Sequence, residues 1–273
     1  MPGFVMEASA PNYASMPWLH RFGQQMASAL QRDQLAHAWL LQGAAGIGKR
    51  ALAEYLAQLL LCAEPHDGQA CGQCRSCQLI AAGTHPDRLE LVPEESGKPI
   101  KIDAVRGRIT QLQLTPQVAK RKVVIIDPAE AMNANAANAL LKTLEEPPGN
   151  ATLLLISHAP GRLLATIRSR CQKLNIPTPG RPEAMAWLMQ ASSASSEQIE
   201  AALLQSSGLP LLAWNFLEQP ESGMHPEQLS ADLIEVFRGA NVSELAGRWS
   251  SYPAQELLSL WQRSLEQEIL RRQ

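Results

Sequence analysis

Residues 37–50 read HAWLLQGAAGIGKR, and this stretch decides the fold. A short apolar run ends at Gly43, a glycine-rich turn follows, and the helical pattern ALAEYLAQLLLC comes directly after it. The turn matches G-x-x-x-x-G-K from Gly43 to Lys49, a pattern that binds phosphate between a strand and a helix. The order strand, turn, helix predicts one unit of a parallel α/β sheet.

The chemistry of this loop depends on its backbone and on one lysine. Its glycines allow N–H groups to turn toward a phosphate, and Lys49 would reach the outer phosphate oxygens. In a working site the next residue is Ser or Thr, whose hydroxyl holds Mg²⁺, but here it is Arg50. The candidate nucleotide-binding residues of the loop are Gly43, Gly46, Gly48 and Lys49.

The second half of a nucleotide site is expected at the end of a buried strand. KVVIID (122–127) is a β-branched run of that kind, and its last residue, Asp127, joins the candidate site. ATPases built on this plan continue with a glutamate that orients the attacking water, whereas this chain has Pro128. Glu130 lies three positions past Asp127, and no pattern assigns it that role.

Three interpretations of the phosphate loop remain open. It could persist for its turn and its helix packing alone, bind nucleotide without turnover, or belong to a working ATPase. The metal ligand and the water-orienting acid are both missing, and phosphoryl transfer depends on both. The sequence therefore favours the structural loop first and the working ATPase last.

Other apolar runs of similar length predict the remaining strands, and the patterns between them predict helices. The strand segments are DRLELV (87–92), TLLLISH (152–158) and CQKLNI (171–176). The helical segments are residues 104–114, with Asp103 as N-cap, residues 134–146, ended by two prolines, and residues 161–170. Strands that alternate with helices indicate a doubly wound parallel sheet over residues 1–178.

The sequence pattern changes after Ile176. PTPGRP (177–182) is typical of a linker, and the segments that follow are helical in pattern, without a further convincing strand. We predict a small helical unit over residues 179–220 and, past a second break, a further helical domain over residues 221–273. Apolar residues in that last segment recur at roughly helical spacing, and most such stripes pack within their own domain. They are Leu229, Leu233, Phe237, Leu257, Leu258, Trp261, Leu265 and Ile269.

Four cysteines lie close together, at the spacing C-x8-C-x2-C-x2-C. Each C-x2-C places two thiolates on one tight turn, at the separation that a tetrahedral Zn²⁺ ion prefers. Four thiolates fill the coordination sphere, so the predicted site is structural, and a catalytic or redox site is a poorer fit. His66 could replace one cysteine, although a histidine in a loop is more often merely solvated. The predicted ligands are Cys62, Cys71, Cys74 and Cys77.

The overall composition argues against several classes of protein. A net charge of −2 over 273 residues provides no bulk basic field for nucleic acid. The N-terminus does not have the pattern of a signal peptide, and no apolar run approaches the roughly 18 residues that span a membrane. We therefore expect a cytoplasmic protein, in which a reducing environment disfavours disulfides and the cysteine cluster points to a metal.

Together these features resemble the AAA+ clamp-loader subunits of bacterial DNA polymerase III. The resemblance rests on the phosphate loop, the inserted four-cysteine module, ANALLKTLEEPP (137–148) and Ser169-Arg170-Cys171, and it covers residues 17–215. It implies an α/β AAA+ P-loop domain with a zinc module inserted at residues 62–77, followed by a small helical lid and an all-helical collar. The collar segment is shorter here than is usual in that family.

The resemblance also implies a role for one arginine. In that family the S-R-C motif carries an arginine finger, which reaches the γ-phosphate of ATP held by the adjacent subunit. Arg170 would therefore act in trans. From spacing alone, Arg168 and Arg170 would be an ordinary solvated helix end, but a permanently charged, forked guanidinium suits a shared phosphate.

The zinc-bearing members of that family fall into two branches. Motor subunits, called gamma or tau, have intact ATP motifs, and the other branch has eroded ones. Arg50 and Pro128 indicate the second branch, as does GLPL (208–211), where motor subunits carry a sensor arginine. The sensor at the end of the fourth strand would be Ser157 or His158.

Partners follow from the same resemblance. It implies a subunit without ATPase or polymerase activity of its own, in a hetero-pentameric ring with gamma/tau and delta subunits. The ring would load the sliding clamp onto primer-template DNA. An active, motor-type ATPase with unusual motifs is the alternative. A zinc-finger nucleic-acid binder is a further alternative, disfavoured because Arg75 is the only Lys or Arg between the cysteines.

Overall fold

The computed structural model describes residues 11–95 and 97–218, together with Asp232, Glu235, Val236, Trp249 and Trp261. The chain divides into two compact units, Met1–Pro179 and Gly180–Gln273. Across the described residues, no helix has the length and apolar character that crossing a membrane requires.

The described part of the larger unit is built on a five-stranded parallel sheet. Its strands are β1 (Ala38–Gln42), β2 (Arg88–Leu91), β3 (Lys122–Ile126), β4 (Ala151–Ser157) and β5 (Gln172–Asn175). They lie in the order β2-β3-β4-β1-β5, so β1 with its phosphate loop stands between β4 and β5. Every residue of β3 and β4 is buried, which explains why both strands are continuous apolar runs in the sequence. The predicted parallel α/β sheet is confirmed.

Helices connect and flank these strands. They are α1 (Pro17–Gln31), α2 (Lys49–Leu61), α3 (Arg75–Ala81), α4 (Ile102–Gln113), α5 (Ala134–Glu145) and α6 (Ala165–Arg168). The sequence analysis did not identify α1, which has Pro17 in its first turn and buries an apolar face that includes Leu19. Trp18 of α1 donates its indole N–H to the Ile47 carbonyl at 2.9 Å, and this bond ties α1 to the phosphate loop.

Two of the helix predictions were wrong in detail. α4 begins at Ile102, with Lys101 as N-cap, so Asp103 lies in the first turn and not at the cap. A carboxylate there still opposes the positive end of the helix dipole. The continuous helix predicted for residues 161–170 is a 3₁₀ turn (Pro160–Arg162) followed by the short α6. The chain is extended at Leu163, which is buried, and this breaks the helical path.

The described part of the smaller unit is helical. It contains α7 (Arg181–Ala191), α8 (Ser196–Gln205) and α9 (Pro210–Glu218), which agrees with the helical pattern predicted after the linker. Ser195 caps α8 in a capping box with Gln198, in which each side chain accepts a hydrogen bond from the other residue's backbone N–H. The division into a lid (179–220) and a collar (221–273) stays a prediction, because most of the collar segment lies outside the described residues.

Candidate functional site

The phosphate loop follows β1, and α2 begins at Lys49. Gly48 has φ = 88°, in the left-handed region, and a Cβ there would lie 2.4 Å from the Met16 sulfur. A Cβ on Gly43 would lie 2.2 Å from the Ile176 carbonyl oxygen. Gly48 therefore requires glycine for its backbone conformation, and Gly43 for its close approach to the backbone of Ile176. The loop keeps the backbone shape that the motif predicts.

Lys49 is buried inside this loop, with 2% of its surface exposed. Its ammonium group donates to the Gly43 carbonyl at 2.8 Å and also to the carbonyl of Ala44. Burial lowers the pKa of Lys49 to about 8, although the nearby carboxylates of Asp127 and Glu130 act in the opposite direction. The lysine that would bind phosphate is thus bonded to the carbonyl groups of its own loop.

Arg50 lies among acidic side chains of its own chain. Its guanidinium is paired with Glu54 at 2.7 Å and with Glu90, and Nη1 lies 3.5 Å from Asp127 Oδ2. Arg88 bridges the same glutamates, at 2.6 Å from Glu54 and in contact with Glu90. We call Arg50, Glu54, Arg88, Glu90 and Asp127 the Arg50 cluster. In a working site a hydroxyl at position 50 and the acid ending β3 would help hold Mg²⁺, and here a guanidinium lies beside that acid.

The charges of the Arg50 cluster depend on one another. Burial alone would raise the pKa of Glu90, but the positive charges of Arg50 and Arg88 outweigh burial and lower it. Conversely, burial would lower the pKa of Arg88, and its hydrogen bonds and charge pairing with Glu54 and Glu90 raise it. Two guanidinium groups thus face three carboxylates in the cluster, and each arginine contacts more than one of them.

Glu130, which the sequence left without a role, holds the loop after β4. Its Oε1 accepts hydrogen bonds from the backbone N–H groups of His158 at 2.7 Å and Ala159 at 2.9 Å. The His158 ring lies 3.6 Å from Asp127 Oδ1, whereas Ser157 Oγ is buried with no hydrogen-bond partner among the described residues. Of the two candidate sensor residues, His158 is the one whose side chain reaches Asp127.

The four predicted zinc ligands converge. All four sulfurs lie within 4.8 Å of one another, a group that could hold a metal ion. The Cys62–Cys74 and Cys71–Cys77 sulfur distances are 4.0 Å, and Cys74–Cys77 is 3.5 Å. A Zn–S bond of about 2.3 Å in a tetrahedron places sulfurs about 3.8 Å apart, so the arrangement fits zinc. His66 takes no part in the group and pairs through its backbone with Gln69.

A buried network that the sequence analysis missed connects the cysteine module to the sheet. The Asp87 N–H donates to His85 Nδ1 at 3.0 Å, and burial lowers the pKa of His85, so the neutral ring carries its proton on Nε2. Nε2 lies 3.1 Å from Ser76 Oγ, between two of the cysteines. The Asp87 carboxylate accepts three backbone N–H bonds from residues 117–119, at 2.8 to 2.9 Å. The HPD run just before β2 is the only sequence signal of this network.

Arg170 lies apart from the phosphate loop, just before β5. Its Nε donates to Glu145 Oε1 at 2.8 Å, Nη2 pairs with the same oxygen, and Nη1 donates to the Thr166 carbonyl at 3.0 Å. The side chain is 34% exposed. Among the described residues, none of its polar contacts is with the phosphate loop or the Arg50 cluster.

Comparison with known proteins identifies the family. The family model described as DNA polymerase III, delta subunit, matches residues 19–180. The DNA polymerase III subunit delta' of Pseudomonas aeruginosa is 46% identical over 246 residues, which cover 87% of this chain and 72% of that protein. This chain belongs to the DNA polymerase III delta-prime family. The Escherichia coli subunit delta' is 40% identical over 194 residues, and this chain spans 58% of its length.

Two further comparisons concern proteins outside the delta-prime family. DNA polymerase III subunit tau/gamma of Haemophilus influenzae is 34% identical over 151 residues, which cover 55% of this chain and 22% of that protein. The RuvB Holliday junction branch migration motor of Thermotoga maritima superimposes with a TM-score of 0.55 at 15% identity, over 92% of this chain and 86% of that one. The likeness to RuvB shows a shared fold and nothing about shared activity.

Proposed function

We propose that this chain is a clamp-loader subunit that hydrolyses no ATP itself and supplies Arg170 to ATP held by a neighbouring subunit. The proposal is carried by a contrast between two guanidinium groups. Arg50 contacts three carboxylates of its own chain. Arg170 contacts one carboxylate among the described residues.

The chain's own nucleotide site lacks the groups that hydrolysis needs. Arg50 lies beside Asp127, where a cation would otherwise be held, and cannot act as a metal ligand because a guanidinium offers donors only. Lys49 is bonded to the carbonyls of its own loop. Glu130 Oε1 is bonded to the backbone after β4, and its other oxygen is buried. These contacts support a site that performs no phosphoryl transfer.

The guanidinium of Arg170 has N–H groups that the described contacts do not use. A guanidinium has five N–H donors, and the described contacts of Arg170 use one on each of its three nitrogens. One N–H therefore remains on each terminal nitrogen. Two donors on one guanidinium can bind two oxygens of one phosphate, which is bidentate recognition.

In a ring with gamma/tau and delta subunits, Arg170 would lie against the nucleotide of the adjoining motor subunit. Charge spreads over the γ-phosphate oxygens as the bond to the leaving group breaks, and a fixed cation stabilises that charge. The neighbour's ATP hydrolysis would then drive loading of the sliding clamp onto primer-template DNA. The chain's contribution is this one cation and the rigid domain that carries it.

A reconstituted clamp loader tests the finger. Loader that contains Arg170→Ala should assemble normally but show a clamp- and DNA-stimulated ATPase about tenfold slower or worse, because a finger typically contributes 10³–10⁵ at its own site. Arg162→Ala is the matched control, since Arg162 is an exposed arginine in the preceding 3₁₀ turn. An unchanged rate with Arg170→Ala in a fully assembled loader contradicts the proposal.

ATP turnover by the isolated chain tests the claim that it hydrolyses nothing. We expect no Mg²⁺-dependent hydrolysis above the rate of a Lys49→Ala variant. Steady turnover that this variant abolishes would instead support the motor-type alternative, in which the retained Lys49 and Asp127 still work.

We also propose that the cysteine module holds structural zinc. Four thiolates would hold the ion and leave no position for a reactive water, so zinc here supplies cross-linking and not catalysis. Metal analysis should find about one zinc per chain. Cys74→Ser should lower both the zinc content and the thermal stability, whereas Cys171→Ser, outside the module, should keep the zinc. A folded, zinc-free preparation of the unmodified chain would remove the claim.

A further inference from the structure

Arg170 is held by two separate elements of the fold. Two nitrogens on one edge of its guanidinium contact Glu145 Oε1, with Nε at 2.8 Å. A third nitrogen, Nη1, donates to the Thr166 carbonyl of α6 at 3.0 Å. A long side chain at the surface normally samples many rotamers, and an arginine has about 2 kcal/mol of such entropy. Three contacts restrict that freedom before any phosphate arrives.

Glu145 is itself well anchored. It is the last residue of α5, a helix whose buried face includes Leu140 and Leu144. His37 Nε2, just before β1, donates to the Leu144 carbonyl at 2.7 Å and so ties the last turn of α5 to the sheet. The carboxylate therefore projects from a helix end that is packed on one side and hydrogen-bonded at its terminus. A rigid support of this kind can fix where a guanidinium lies.

We infer that Glu145 is a positioning residue for the arginine finger. Its carboxylate accepts hydrogen bonds from Nε and Nη2 of Arg170. The two remaining N–H groups of the guanidinium are then available for the neighbour's phosphate. The inference rests on the proposed function, since positioning has meaning only if Arg170 acts in trans. Its physical basis is that small misplacements of a reacting or stabilising group are costly, of order 10²-fold for about 1 Å.

A purely structural role for Glu145 makes different predictions. The Arg170–Glu145 pair is exposed, with 34% and 50% of the two side chains accessible. A structural role would require Glu145→Ala to lower the free energy of unfolding. Exposed ion pairs contribute little to folding stability, so we expect Glu145→Ala to leave that free energy nearly unchanged. A third role is also distinguishable. If Glu145 held the guanidinium away from the phosphate, removing the carboxylate would accelerate hydrolysis.

The test uses the fully reconstituted loader with Glu145→Ala, Glu145→Gln, Arg170→Ala and the double variant. We expect Glu145→Ala to lower kcat for stimulated ATP hydrolysis about three- to tenfold, with the KM for ATP within about twofold, because ATP binding is provided by the neighbour. Glu145→Gln keeps an acceptor oxygen and should recover most of the rate. Glu146→Ala is the matched control, an exposed neighbouring acid that makes no described contact with Arg170.

The double variant separates this inference from the proposed function. If Glu145 acts through Arg170, adding Glu145→Ala to Arg170→Ala should cause no further loss. A slow Arg170→Ala loader together with a Glu145→Ala loader of normal or raised rate would overturn the inference and leave the proposed function intact. A further loss in the double variant would also overturn it. An Arg170→Ala loader of normal rate would overturn the proposed function itself, and the inference with it.

Discussion

Arg50 and Arg170 are almost equally exposed, at 37% and 34% of their side chains, yet their surroundings differ sharply. Arg50 contacts carboxylates on α2, at β2 and at the end of β3, whereas Arg170 contacts one carboxylate at the end of α5. Exposure alone therefore does not show which arginine can bind a phosphate on another molecule. The number of anionic groups that already neutralise the guanidinium is the better guide.

The largest difference is expected in folding stability. Arg50→Ala leaves Arg88 as the arginine that contacts Glu54 and Glu90 and removes the guanidinium beside Asp127, so it should lower the free energy of unfolding by about 1–2 kcal/mol. Arg170→Ala removes one exposed pair and should cost about 0.5 kcal/mol or less. Urea unfolding measures both, and Arg50→Lys should retain part of the stability. Equal losses of unfolding free energy in the two alanine variants would contradict the expected difference between Arg50 and Arg170.

A second, smaller effect concerns folding stability at acid pH. The folded pKa of Glu90 lies below its unfolded value, because Arg50 and Arg88 outweigh the effect of burial. Such a carboxylate stabilises the fold above an unfolded pKa of about 4.3, and the stabilisation is lost as pH falls through the folded pKa. Glu90→Gln should therefore make stability fall less steeply below about pH 4.3. Unfolding midpoints in a pH series measure this slope.

The same series provides its own control. In an Arg50→Ala background part of the depression of the Glu90 pKa is gone, so Glu90→Gln should change the acid slope less than it does in the unmodified chain. An equal change in both backgrounds would mean that Arg50 does not influence Glu90.

The smallest effect is expected from salt. Raising ionic strength from about 0.1 M to 1 M shortens the Debye length from about 10 Å to 3 Å and weakens partly exposed charge pairs. The stability difference between Arg50→Ala and the unmodified chain should shrink by about 0.5 kcal/mol, and that for Arg170→Ala by less. Urea unfolding at the two salt concentrations measures it. A cluster insensitive to salt would indicate packing and not charge as the source of its stability.

Much of the sheet could be predicted because burial on both faces leaves a direct mark on sequence. The runs that became β3 and β4 have no polar alternation, which is what a strand covered on both sides requires. The convergence of the four cysteines could be predicted for a similar reason, since their spacing encodes the local turn that brings the thiols together. Both signals are local.

The parts that sequence reasoning missed depend on contacts between distant residues. Glu90 lies 40 positions from Arg50, and Glu145 lies 25 from Arg170, so no spacing rule connects them. The break before α6 follows from the burial of Leu163, which overrides a helical pattern. The sequence shows that Arg50 stands where a metal-binding hydroxyl is expected. Its pairing with Asp127 is seen only in the folded chain.

The most direct measurement is the stimulated ATPase of two loaders, one with Arg50→Ala and one with Arg170→Ala, at equal subunit composition. We expect the Arg170→Ala loader to be about tenfold slower or worse, while the Arg50→Ala loader stays within about twofold of the unmodified complex. The reverse pattern, with hydrolysis lost through Arg50 and untouched by Arg170, would contradict it.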